Sequence, residues 1–174
     1  MLYAVAHPEV SPDDRRWIEG LRREHCPTDA ARIAAHFTLA FGTRTIAERV
    51  YLAHVAEIAA AVPPFAFRCR RLEPGRDHAT AEGYAFLVPD AGAEKLAALH
   101  AQLCTGPLAP LLCENVPYVP HITVGRCADF DAATRLCARL GETRFEISGV
   151  VRTLTVVAAD GEAVAPRAQF ALGG

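Results

Sequence analysis

Apolar positions along the chain recur at a period of two in some stretches and near 3.6 in others, which predicts alternating strands and helices. Residues 2–6 form a short apolar run, a buried strand ended by His7-Pro8. Ser11-Pro12-Asp13-Asp14 then opens a helix, with Ser11 as N-cap, Pro12 at its first position and two acids in its first turn. The helix runs to about His25. Trp17, Ile18 and Leu21 form its apolar stripe, and Arg15, Arg16, Arg22, Arg23 and Glu24 its solvated side. A mixed segment from Pro27 leads into an alternating strand at 35–41, which stops at Gly42. A long helix is expected from Ile46 to about Val62, terminated by Pro63-Pro64. Strands at 65–72 and 83–88, joined by a polar turn region at 73–82, predict a hairpin. Asp90-Ala91-Gly92 opens another helix, which Gly106-Pro107 stops, and 108–116 is an apolar loop or short helix. A further strand follows Pro120, and Asp129 begins a helix closed by Gly141. Strands at 144–150, 152–158 and 167–172 complete the chain, with Asp160-Gly161 as a hairpin turn.

Two of these strands carry one pattern. Ala35-His36-Phe37-Thr38-Leu39-Ala40-Phe41 and Pro120-His121-Ile122-Thr123-Val124-Gly125-Arg126 each contain His-x-Thr. Because side chains on a strand alternate, His36, Thr38 and Ala40 share one face, and Phe37, Leu39 and Phe41 the other. His121, Thr123 and Gly125 are likewise opposed to Ile122 and Val124. Each strand therefore offers an imidazole and a hydroxyl ~6–7 Å apart. Strand-helix-strand order around both copies predicts two similar α+β lobes sharing a groove.

At 174 residues, 51% hydrophobic and 22% charged, the chain can bury a substantial core. Its formal net charge of −2 argues against tracking along a nucleic-acid backbone. A nucleic-acid substrate should be short, terminal or a mononucleotide. The six cysteines, at 26, 69, 104, 113, 127 and 137, form no C-x-x-C pair and no metal-like spacing. Buried free thiols in a cytoplasmic protein are expected. Neither a signal peptide nor a membrane span is expected from the apolar runs.

Two histidines across a groove can divide a reaction, one accepting a proton and the other donating one, because their ordinary pKa near 6.5 makes both states accessible. The threonine hydroxyls can donate to phosphoryl oxygens. No metal or cofactor is required.

His36-Phe37-Thr38 and His121-Ile122-Thr123, with Pro120 ahead of the second motif and Gly125-Arg126 behind it, resemble the 2H phosphoesterase superfamily, and within it the bacterial 2′-5′ RNA ligase and cyclic phosphodiesterase group. The resemblance extends through element order and length over nearly the whole chain. It implies a bilobal, pseudo-two-fold α+β fold, with two antiparallel sheets facing across a central groove and helices on the outer faces. Residues 1–174 would form a single compact domain of two packed lobes. The implied activity is metal-independent opening of 2′,3′-cyclic phosphates of nucleotides or RNA ends, or joining and cleavage of 2′-5′ phosphodiesters. His36 and His121 would be the catalytic acid/base pair and Thr38 and Thr123 the phosphate binders, with the assignment of acid and base open. Tyr118 either stacks on a base or packs at the strand entrance. Arg126 assists the phosphate or ends a strand at the surface. Arg68 and Arg70 either reach a phosphate or guard an edge strand. The expected partner is a nucleotide or RNA terminus, and the expected state a monomer. A second reading is a binding module that holds a nucleotide or RNA end without turnover. A third, a metal hydrolase ligated by His36 and His121, lacks further ligands at suitable spacing.

Overall fold

The computed structural model describes residues 1–77, 80–112, 117–161 and 163–173. His78, Cys113 and the end of the 108–116 segment lie outside them. Strand β1 (Leu2–Ala6) and the two-residue β2 (Glu9–Val10) precede helix α1 (Pro12–His25). Ser11 caps that helix as its sequence predicts, accepting from the Asp14 N–H at 3.1 Å. The mixed segment after it contains a short helix, α2 (Pro27–Arg32). It has Pro27 at its start and Asp29 in its first turn, but is too brief to show a period.

Then follow β3 (Phe37–Thr43), α3 (Glu48–Ala61), β4 (Phe65–Arg76), β5 (Gly83–Ala91) and α4 (Ala93–Leu103). A 3-10 turn (Gly106–Leu111) leads toward β6 (Ile122–Cys127), and α5 (Phe130–Leu140) is capped by Asp129. The chain ends with β7 (Ile147–Val151), β8 (Thr153–Asp160) and β9 (Ala163–Ala171). Gly161 turns the last hairpin at φ +56°, a left-handed conformation that suits a residue without Cβ.

The strands make two antiparallel sheets, ordered β3-β1-β8-β9 and β2-β7-β4-β5-β6. β3 ends one sheet and β6 ends the other, so the two His-x-Thr motifs lie at matching margins. Each is hydrogen-bonded to the strand that precedes its helix: β3 to β1 and β6 to β5. With the two-residue β2, the short α2 and the 3-10 turn set aside, the order strand, helix, motif strand, helix occurs twice, as β1-α1-β3-α3 and β5-α4-β6-α5. The helices are exchanged between lobes, however, with α1 packed on β6 and α4 on β3. One buried cluster draws on both sheets, including Phe37, Leu39, Phe67, Leu87, Ile122, Val124, Leu154 and Val156.

The structure revises two strand readings. β4 is a central strand, between β7 and β5, so Arg68 and Arg70 do not guard an edge. It also runs on through the expected turn to Arg76, because residues as far as Arg76 pair with β5 down to Gly83. In β3 the alternation fails after Leu39: Ala40 is 0% exposed and Phe41 43%. The cause is a bulge. Val5 of β1 faces Thr38 and Ala4 faces Ala40, leaving Leu39 as an extra residue.

Candidate active site

The second motif strand carries the same irregularity. Phe86 of β5 faces Thr123 and Ala85 faces Gly125, leaving Val124 unpaired. In both copies the extra residue directly follows the threonine. Bulges bend a strand and re-aim its side chains, so the two motifs are presented in the same way. Side chains from distant elements meet the threonine carbonyls: the Tyr118 hydroxyl donates to Thr38 O at 2.8 Å and Arg22 Nη1 to Thr123 O at 2.9 Å. His100 Nδ1–H donates to the carbonyl of the bulged Leu39 at 2.8 Å.

Each motif histidine stands just ahead of its strand and is tied to the carbonyl two residues earlier. His36 Nδ1 lies 2.8 Å from Ala34 O, and His121 Nδ1 lies 2.7 Å from Val119 O. A carbonyl can only accept, so both Nδ1 atoms carry hydrogen and both Nε2 atoms hold a free lone pair when the rings are neutral. Both rings are half-buried.

His36, Thr38 and Thr123 line one cavity of about 240 Å³ between the lobes. Tyr3, Val5, Val157, Ala159 and Val164 make a largely apolar wall, and Tyr84, Arg22, Asp29 and Arg32 complete the lining. Arg32 reaches across to the β8–β9 turn, donating to Gly161 O at 2.7 Å. His121 does not line this cavity, but it is close enough that its charge helps to depress the His36 pKa. Phe86 stacks on the His121 ring at 3.7 Å, and Tyr84 stacks on Phe86 at 5.9 Å. His7 meets His36 edge to face at 5.9 Å, and its Nδ1–H donates to Ala35 O at 3.1 Å.

Burial is the main influence pushing the His36 pKa from 6.5 down to about 4; Arg22, His7 and His121 push it further, against the Ala34 hydrogen bond. His121 is also lowered by burial, again opposed by its carbonyl contact. The resting site thus favours two neutral imidazoles. An anionic phosphate near them restores the protonated form.

The other candidates lie elsewhere. Tyr118 packs: its ring stacks on His100 at 3.9 Å while its hydroxyl holds Thr38. Arg126 pairs with Glu82 at 2.6 Å and lines a separate depression with His25, Arg135 and Arg139. Arg70 is bonded through Nε to Asp90 at 2.7 Å, and Arg68 approaches the same carboxylate at 3.7 Å. Neither arginine lines the cavity. Among the described residues no group of three or more His, Cys, Asp or Glu is placed to hold a metal ion.

Arg22 and Phe86 are hidden from the sequence. The helical pattern puts Arg22 on the solvated side of α1, yet it is 1% exposed. The one available signal is that Arg22 follows Ile18 by four positions, one helical turn, on a helix whose buried residues are those two. Phe86 alternates correctly for a strand, but nothing local says that its ring meets His121.

No helix among the described residues is long and apolar enough to cross a membrane. No curated protein matches the chain at a significant level. Several crystal structures do. LigT of E. coli complexed with 3′-AMP is 21% identical with a TM-score of 0.61, covering 99% of this chain and 98% of that one. TT0787 of Thermus thermophilus is 17% identical with a TM-score of 0.59, covering 99% and 98%. A crystal structure described as a phosphoesterase is 23% identical with a TM-score of 0.56, also covering 99% and 98%. At these identities the likeness speaks for the fold. The family model for the 2′-5′ RNA ligase superfamily matches residues 8–163, and the chain belongs to that superfamily.

Proposed function

We propose that the chain is a metal-independent phosphoesterase that opens 2′,3′-cyclic phosphates of nucleotides or RNA ends, with His36 and His121 as the acid/base pair. Superfamily membership supports a phosphoesterase-type enzyme. The observation that carries the finer reading is the duplicated geometry: two imidazoles with Nδ1 tied back and Nε2 free, each followed by a threonine and a bulge.

In the hydrolytic direction, water attacks phosphorus as the bond to one ribose oxygen breaks. The neutral imidazole takes the water proton, and the protonated one gives its proton to the departing oxygen, leaving a phosphomonoester. Burial lowers both rings, so either can serve as the neutral base while the other, protonated beside the bound phosphate, serves as the acid. Thr38 and Thr123 donate to the non-bridging oxygens, where fixed donors act most strongly. The 2′-5′ joining reaction follows the same course with a ribose hydroxyl in place of water.

A nucleotide is a reasonable occupant of the adjoining cavity, whose apolar wall and tyrosines suit a base and sugar. LigT of E. coli has been crystallised with 3′-AMP and with ATP. The test is incubation with the four 2′,3′-cyclic nucleotides in excess chelator, with the products identified. Chelator-resistant opening to a 2′- or 3′-monophosphate is expected. Tight binding without product would instead establish the binding-module reading, and loss of turnover on chelation the metal-dependent one.

A further inference from the structure

β3 and β6 belong to different sheets, and no backbone ladder joins them. A side-chain network does. Arg22 donates from Nε to Glu19 Oε2 at 3.2 Å, from Nη1 to Thr123 O at 2.9 Å, and from Nη2 to Ile33 O at 2.5 Å and Asp29 O at 3.3 Å. The other Glu19 oxygen accepts from the Ala35 N–H at 2.7 Å. A single ion pair therefore grips the peptide just before His36 from one side and the carbonyl of Thr123 from the other. The planar guanidinium, with five donors in a rigid fork, is suited to such a multi-point hold, and lysine is not.

Burying an ion pair gains little stability over apolar packing of the same volume. What this one supplies is a fixed relation between the two strand entrances, alongside the Tyr118 hydroxyl that reaches Thr38 O from the segment ahead of β6. Arg22 also lines the cavity beside His36, Thr38 and Thr123, so its charge is fixed next to the phosphate position. We propose that the Arg22–Glu19 pair is a positioning device for the acid/base site, setting the separation of the two motifs and the charge facing His36. This rests on the reaction proposed above.

The groups facing His36 are Arg22 and Glu19 from α1, His7 from the end of β1, and His121 ahead of β6; Asp29 and Arg32 of α2 line the same cavity. Two substitutions separate geometry from charge. R22K keeps the charge and loses the fork. It should lower kcat about 10- to 100-fold with KM little changed, as expected for misplaced catalytic groups, while the His36 ring titrates as in the wild type. R22Q loses both, and the His36 pKa, followed by NMR, should rise toward 6.5. A merely structural arginine would lower Tm in both variants without altering kcat per folded molecule or the ring titration, and that result overturns the proposal. Should R22Q fail to fold, E19Q decides at a half-buried position. It surrenders one of the two carboxylate contacts and should lower kcat about tenfold, whereas kcat within twofold of wild type refutes the device. Ring titration is read without substrate. A wild-type protein that opened no cyclic phosphate would therefore count against the reaction, and an unmoved His36 titration in folded R22Q against the device.

Discussion

At His36 the ring proton is lost more readily than in water, because burial and three neighbouring cationic or titratable groups all oppose the charged form. With a pKa of about 4 there and a lowered value at His121, a reaction needing one neutral and one protonated imidazole runs best in the free enzyme between two values that both lie below 6.5. The kcat/KM profile should be bell-shaped with an acidic optimum. The limbs of kcat should lie at higher pH, since bound phosphate raises both pKa values. A kcat/KM plateau extending above pH 8 would contradict this. Linkage gives a second expectation. The unfolded chain takes up the His36 proton near pH 6.5 and the folded one only near 4, so stability is lost as pH falls through that window. Urea unfolding at pH 7 and pH 4.5 measures it, and replacing His36 with Asn should flatten the difference. The four motif residues are legible because His-x-Thr is a local pattern in a strand-like setting. Arg22 is not, because its decisive acceptor, Thr123 O, lies 101 positions away.

Among the elements, the helix starts at Ser11 and Asp129 and the turn at Gly161 are readable from side-chain chemistry that acts within a few residues. The bulges are not. An extra residue is defined only against its partner strand, so the predicted face of Phe41 comes out inverted while those of Phe37 and Leu39 hold. For the same reason the central position of β4 cannot be separated from an edge position by pattern alone. Alternation gives Arg68 and Arg70 a reach toward the site that their pairing with Asp90 does not leave them. The bulged segment of β3 is held by Tyr118 and His100, which stack on one another. Tyr118→Phe keeps the ring and leaves the Thr38 carbonyl without its donor. It should cost about 1–2 kcal/mol in urea unfolding and lower kcat/KM by more than it lowers substrate affinity. A variant indistinguishable from wild type in both measurements would show that the hydroxyl contact does not hold the motif.

Across the whole molecule the two lobes are locked together by exchange. α1 lies on β6 and α4 on β3, so each motif strand is backed by a helix from the other half of the chain. Phe37 of β3 and Phe67 of β4 meet edge to face at 5.2 Å, joining the two sheets through their rings. Phe37→Ala should destabilise the protein by about 3–5 kcal/mol. Unfolding should remain one transition, with Trp17 fluorescence and far-UV circular dichroism coincident; two separated transitions would mean that the lobes unfold independently. The alternating order of helices and strands predicts a pair of lobes, but not their exchange, which depends on contacts between residues far apart in sequence. The central claim is that two imidazoles from these separate lobes act as one catalytic unit. Its most direct test is kcat/KM on a 2′,3′-cyclic nucleotide, in chelator, for His36→Ala, His121→Ala and the double variant, each checked for folding. Each single change should remove about 10²–10⁴-fold, and the double little more than either, as for groups that work together. Near wild-type turnover in either folded single variant would contradict it.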